Sequence, residues 1–230
     1  MQRPDRVEVA AGVRDIWPVM VAAFPIGLLF GAVCTGKGLS LAEAALMSLL
    51  VFAGGAQFAA IELWTYPVPV AALVLSTALI NARHVLMGAS LAPKLARFTL
   101  WQKLVGFHFM TDESWALAER RAVTQKQKVT PAYWFALAAL LPVAWVGGTA
   151  LGAWLGSFMG DPARFGADFA FTALFIGLIA GFWRGRVTLF TVAASGGASA
   201  VVYLLAGPPW HVAAGAVAGI VAAYAAADRA

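Results

Sequence analysis

Seven stretches of mostly apolar residues, each long enough for a helix to cross a bilayer, dominate this sequence. They run over roughly 16–35, 40–64, 68–92, 131–159, 165–183, 186–206 and 210–227. A crossing helix needs about 20 such residues. In hydrocarbon every backbone N–H and C=O must also be paired within the protein. The fold class that follows is all-α, a polytopic transmembrane helical bundle forming one domain over 1–230. The composition agrees: the chain is 61% hydrophobic and 12% charged, against about 45–50% and about 25% in soluble domains. The net charge of +5 is no nucleic-acid signature, because the basic residues gather in the short links between apolar stretches, as membrane topology requires. Cys34 is the single cysteine, so no internal disulfide forms and a small buried apolar role is expected. The N-terminal MQRPDRVEVAAGVRD alternates charge signs and lacks the layout of a cleavable signal, so the first span is expected to be retained.

The longest link, 93–130, holds the topological question. It is basic at both ends, and its middle, LVGFHFMTDESWALA (104–118), is apolar but short. If it stays on one face there are seven spans, N-out and C-in. If it crosses as a short eighth span, both termini lie inside; a re-entrant helix at 104–118 is the third form it could take. The distribution of basic residues barely separates the two. Short, interrupted segments are typical of transporter sites, and so are inverted repeats. FAGGAQFAAIEL (52–63) resembles ASGGASAVVYLL (194–205), which suggests two three-helix repeats, 17–92 and 165–227, joined by 93–164. The eight-span topology would invert one against the other.

Gly148, Gly152, Gly156 and Gly160 recur every fourth residue, as do Gly177, Gly181 and Gly185, with shorter pairs at Gly27/Gly31 and Gly215/Gly219. That spacing keeps them on one helix face, where another backbone approaches closely. The reading is intramolecular packing, or, for the 148–160 row, docking of another subunit. Pro18, Pro25 and Pro142 weaken helix hydrogen bonding and suggest kinks.

Polar groups inside the spans carry the functional reading. ALINARHVLMG (78–88) places Asn81, Arg83 and His84 within an apolar stretch. By helical phase Asn81 and His84 share a face and Arg83 points nearly opposite. An arginine near the bilayer centre costs about 2.5–3.5 kcal/mol on insertion scales. It therefore needs a carboxylate, carbonyls or water, and Asp112, Glu113 and Glu62 are the carboxylates in reach of the argument. Gly54-Gly55, followed by Gln57, is expected to break the second span. A broken helix offers free N–H groups to a carboxylate and free carbonyls to an ammonium. Gly196-Gly197 is expected to supply a matching break. Glu43 reads as a solvated interfacial acid.

The sequence contains no G-x-x-x-x-G-K-[ST] stretch, no H-E-x-x-H, paired cysteines or clustered histidines for a metal, and no G-x-S-x-G. No cofactor is implied, and no enzyme is expected. Two alternatives stay open: a non-transporting membrane scaffold or sensor, and an integral-membrane enzyme using His84, Asp112 and Glu113.

FPIGLLFGA (24–32), MSLLVFAGGAQFAA (47–60), INARHVLMGASLAP (80–93), TDESWAL (111–117) and DFAFTALFIGL (168–178) together resemble, in that order, the AzlC family of branched-chain amino-acid permeases. The resemblance runs from about residue 12 to the C-terminus. One position departs from it: Gly55 stands where the family often has serine, so no side-chain contact is assigned there. The resemblance implies the large subunit of a two-component secondary exporter of leucine, isoleucine and valine. It also implies a small AzlD-type membrane partner and a multi-pass location in the bacterial inner membrane. Mapped onto this chain, the motif positions are Gln57, Asn81, Arg83, His84, Asp112 and Glu113. With the glycine break, the expected substrate-binding set is Gly54, Gly55, Gln57, Asn81 and Arg83. His84, Asp112 and Glu113 are expected to couple protons, His84 because its ordinary pKa lies near physiological pH.

Overall fold

Hydrocarbon favours segments that pair their own backbone, and the described residues are helices joined by turns. In the computed structural model these are residues 3–159, 185–207 and 210–227, with single positions 169, 176, 177, 179, 180 and 183 between them; no strand occurs among them. The helices are α1 (Arg3–Gly36), α2 (Leu41–Val51), α3 (Gly54–Glu62), α4 (Val70–Asn81), α5 (Arg83–Leu91), α6 (Leu100–His108) and α7 (Asp112–Glu119). A π-helical turn, Arg120–Thr124, then leads to α8 (Pro131–Met159), α9 (Arg186–Ala206) and α10 (Trp210–Ala227). α1 and α8 continue through Pro18, Pro25 and Pro142.

Four stretches among the described residues are long and apolar enough to cross a membrane: Asp5–Gly36, Val70–Leu91, Pro131–Phe158 and Arg186–Ala206. The difference from the seven expected spans has particular causes. The 40–64 stretch is two short helices, α2 and α3, because the chain turns at Phe52. The stretch 210–227 forms one apolar helix that is shorter than the four. Most of 165–183 lies outside the described residues, as do Gly160 and Gly181. The 104–118 segment is divided between α6 and α7, and the nine residues of α6 rise only about 13 Å. α9 runs unbroken through Gly196-Gly197, so the expected matching break is absent. A Cβ on either glycine would meet nothing within 4 Å among the described residues.

The chain divides into two compact units, residues 1–57 with 81–167 and residues 58–80 with 168–230. In the first unit, α1 and α8 pack with their backbones in contact. A Cβ at Gly152 would overlap the Leu28 carbonyl, and one at Gly31 would overlap the Thr149 carbonyl. Gly148 faces the Phe24 carbonyl at 2.6 Å, and Gly27 the Trp145 carbonyl at 2.8 Å, measured to the same missing Cβ. The 148–156 glycine row is thus occupied by α1, which realises the intramolecular reading. Fully buried Phe30 and Cys34 lie on α1, and Trp134, Leu137 and Ala153 on α8. In the second unit, α10 uses Gly215 and Gly219 to admit Ser195 and Ser199 of α9.

Two polar clusters fasten further elements to this pair in the first unit. Arg121, 6% exposed, donates to both carboxylate oxygens of Glu8 at 2.8 Å, donates to the Lys128 carbonyl at 3.0 Å, and lies 4.1 Å from the Tyr133 ring centroid. Thr130 donates to Glu8 and Tyr133 to Asp15. The π-helical turn is thereby bound to the charged start of α1. Deeper in the unit, Trp145 Nε1 donates to Gln57 Oε1 at 3.0 Å, and Gln57 Nε2 donates to Ser48 Oγ at 3.0 Å. Ser48 and Thr149 hydroxyls are 2.9 Å apart, and Thr149 donates its one hydroxyl proton to the Trp145 carbonyl. Ser48 must therefore donate to Thr149. The four bonds start and end on Trp145 and join α2, α3 and α8, with Ser48, Gln57 and Thr149 each wholly buried.

Two outcomes follow for the purified protein. Gly152→Ala should lower its thermal unfolding temperature in detergent, since overpacking a tight core costs about 1–3 kcal/mol. Gly88→Ala, where a methyl meets nothing within 4 Å, should not. Gln57→Leu should also destabilise, because it strands the buried Trp145 N–H, at about 1–3 kcal/mol for a buried group left unpaired, and takes from Ser48 Oγ the bond it accepts. An unchanged unfolding temperature in Gln57→Leu would refute the fastening role of that ring.

Candidate functional site

Three helix interruptions lie around one place in the first unit. The first falls between α2 and α3. Phe52 ends α2 in the left-handed region, φ 36° and ψ 46°, a conformation costing about 1–2 kcal/mol for a residue with a Cβ. The break therefore sits at Phe52-Ala53, just ahead of the expected Gly54-Gly55. These glycines form the first turn of α3, whose leading N–H groups have no partner within the helix. Gly54 is needed for another reason: a Cβ there would lie 3.0 Å from the six-membered ring of Trp145.

The second interruption is Ala82, between α4 and α5. Its angles remain helical, but Val85 N–H bonds back to the Ala82 carbonyl, a tightened turn. The His84 ring nitrogen Nδ1 lies 3.1 Å from the Asn81 carbonyl oxygen. This agrees with the shared face expected from helical phase. Asn81 Oδ1 is buried and has no hydrogen-bond partner among the described residues.

The third is Phe109–Thr111, between α6 and α7. Thr111 caps α7: its Oγ1 accepts from Ser114 N–H, and its own N–H donates to Ser114 Oγ at 2.9 Å. Asp112 and Glu113 stand in the first turn, where the helix dipole favours negative charge. The T-D-E-S run thus has a local structural cause as well as a functional reading. The Phe52 and Phe109 rings meet edge to face, centroids 5.7 Å apart, joining the first interruption to the third.

Arg83 answers Asp112. Its Nη2 lies 3.1 Å from Oδ2, and the two side chains are 43% and 47% exposed. Of the three carboxylates considered, it is Asp112 that takes the arginine; Glu113 is exposed and makes no ion pair among the described residues. At their other ends α5 and α7 are joined again. Glu119 Oε1 accepts from Lys94 Nζ at 2.7 Å and from Ser90 Oγ at 2.9 Å, and Trp115 Nε1 donates to Ser90 Oγ at 2.8 Å. Position 83 meets 112 and positions 90 and 94 meet 119, so the two helices run parallel and their N-termini lie together at the Arg83–Asp112 pair.

The expected residues thus fall into two groups. Asn81, Arg83, His84 and Asp112 gather at the second and third interruptions, with Glu113 beside them on the surface. Gly54, Gly55 and Gln57 lie at the first, and the Gln57 amide is engaged through both its oxygen and its nitrogen. Among the described residues His84, Asp112 and Glu113 share no hydrogen bond or ion pair with one another.

Several participants escaped the sequence reading. Trp145 carried a signal, since an indole N–H in a span has to find an acceptor. So did the caps of α2 and α6: Ser40–Glu43 and Thr99–Gln102 form capping boxes, whose S/T-x-x-E/Q spacing is visible in sequence. Nothing local marks Glu119 as the partner of Lys94.

Comparison with known proteins agrees with this architecture. The family described as AzlC protein matches residues 18–159, more than half of the chain. The Escherichia coli inner membrane protein YgaZ is 29% identical over 89% of this chain and 85% of its own length. An Archaeoglobus fulgidus membrane protein is 32% identical, covering 84% of each. The Bacillus subtilis branched-chain amino acid transport protein AzlC is 31% identical over 74% of this chain and 68% of its own. No solved structure matches. A polytopic helical chain whose relatives are membrane proteins, matched through the segments that bear its interrupted helices, belongs to the AzlC family.

Proposed function

We propose that this chain is a secondary carrier exporting leucine, isoleucine and valine across a bacterial inner membrane, driven by the proton gradient. It would work as the large subunit beside a small AzlD-type membrane protein. The observation that carries the reading is the half-exposed Arg83–Asp112 pair set among three interrupted helices. Interrupted helices within a membrane are tolerated where the break is buried in protein or lines a cavity, and transporters place substrates at such breaks. The substrate class is supported by the Bacillus subtilis relative, named for branched-chain amino acid transport; the partner is what the resemblance of the motifs implies.

In this reading Arg83 and the leading N–H groups of Gly54 and Gly55 receive the substrate carboxylate. Asn81 Oδ1, buried and unpaired among the described residues, accepts an N–H. Gln57 contributes by holding α3 in place, because its amide is committed to Trp145 and Ser48. His84, Asp112 and Glu113 are the groups available for proton coupling.

Counterflow of labelled leucine into liposomes, with and without the co-expressed small subunit, tests the activity. Arg83→Gln should reduce it to background while the protein still elutes as a single folded species. Counterflow at the wild-type rate would remove Arg83 from the substrate site. In everted vesicles, an imposed pH gradient should drive leucine uptake, and an ionophore that collapses the gradient should stop it. Uptake that survives the ionophore would contradict proton coupling.

A further inference from the structure

The two arginine ion pairs of the first unit are built differently. Arg121 is almost wholly buried, holds both oxygens of Glu8, and spends a further donor on the Lys128 carbonyl. That pair is bidentate at Glu8 and closed in by its neighbours. Arg83 and Asp112 are each nearly half exposed and touch through one nitrogen and one oxygen. Neither makes another polar contact among the described residues, so most guanidinium donors and the second carboxylate oxygen are unused.

We infer that the Arg83–Asp112 pair is the receptor for the whole zwitterion of the substrate, and that a proton on Asp112 competes with the substrate ammonium. The inference rests on the carrier reading above and adds the sign of the coupling. An α-amino acid carries its carboxylate and ammonium on one carbon. Entering the pair, it places the carboxylate on Arg83 and the ammonium on Asp112. One protein ion pair opens and two form, and the occupied site stays neutral. With Asp112 protonated, the carboxylate still finds Arg83, but the ammonium loses its counter-charge and the occupied site carries an uncompensated positive charge. The empty protonated site also leaves Arg83 without its carboxylate, but that guanidinium is nearly half exposed to solvent and the pair it loses is a weak one. An ammonium held in the occupied site without a counter-charge is the costlier loss. Proton and amino acid therefore exclude each other, which makes the cycle an exchange: a proton enters as an amino acid leaves. A carboxylate without an ammonium behaves oppositely. It must displace ionised Asp112 from Arg83, and protonation of Asp112 frees the arginine for it.

The charged and titratable groups around Asp112 are few. Arg83 and His84 come from α5, Glu113 from α7 itself, and His108 ends α6 just before the turn. α8 carries no charged side chain. α1 is charged only as far as Asp15, which lies with Arg120 beyond the far end of α7, until Lys37 past its C-terminus. Asp112 and Arg83 are the one opposed pair among the site groups.

Equilibrium binding of leucine and of 4-methylpentanoate to the full chain in lipid nanodiscs, with and without the co-expressed small subunit, measured from neutral to acidic pH, tests this. Leucine affinity should fall on acidification, approaching about tenfold per pH unit below the titration of Asp112, as linkage to one proton requires. 4-Methylpentanoate affinity should rise over the same range. Asp112→Asn should flatten both profiles, and Asp112→Glu, which keeps a carboxylate, should restore them. Leucine binding that strengthens on acidification, that ignores pH, or that keeps its slope in a folded Asp112→Asn protein would overturn the exchange mechanism and leave the carrier reading standing. Absence of leucine binding at every pH, in a wild-type protein that is folded, would overturn both.

Discussion

Backbone contact between α1 and α8 is the interaction on which the first unit depends. Lipid chains are as apolar as the helices they surround, so burial of apolar side chains alone gives little reason for two spans to associate. Close approach supplies it, by dispersion and by the absence of side chains where Gly31 meets Thr149 and Gly152 meets Leu28. Once α8 is seated, Trp145 and Thr149 stand where they can hold Ser48 and Gln57. Once α1 is seated, Glu8 and Asp15 receive the basic residues that follow α7. The short helices therefore gain their positions from side chains presented by the two long ones.

The polar groups are distributed between two tasks. Those that fasten elements are buried and bound to several partners, as with Arg121 and Gln57. Those at the interruptions are reachable or underused, as with Arg83, Asp112 and Asn81. Among the described residues, buried polar atoms without a partner also occur away from the interruptions, at Trp64, Trp134 and His211. It is therefore the exposed, singly bonded ion pair that distinguishes the site from the scaffold.

Much of this was legible in the sequence. The apolar stretches set the all-helical fold class, and the four-residue glycine spacing pointed to a close helix contact without saying that α1 would be the partner of α8. The rest was hidden for physical reasons. Whether Arg83 meets Asp112, Glu113 or Glu62 is decided by how distant segments pack, which local pattern does not encode. The break in 40–64 lies at Phe52, itself buried and in edge-to-face contact with Phe109 from a distant segment. Gly54 follows because the Trp145 ring needs its space. Paired glycines alone do not break a helix, as Gly196-Gly197 shows, since freed backbone groups in a membrane need somewhere to go.

The ring of Trp145, Gln57, Ser48 and Thr149 has one more consequence. Each hydroxyl proton in it is already committed, its path closes on the residue where it began, and none of its members ionises near neutral pH. Its bonds run as a closed loop, so α2 and α3 are held to α8 through partners that all lie within the same unit.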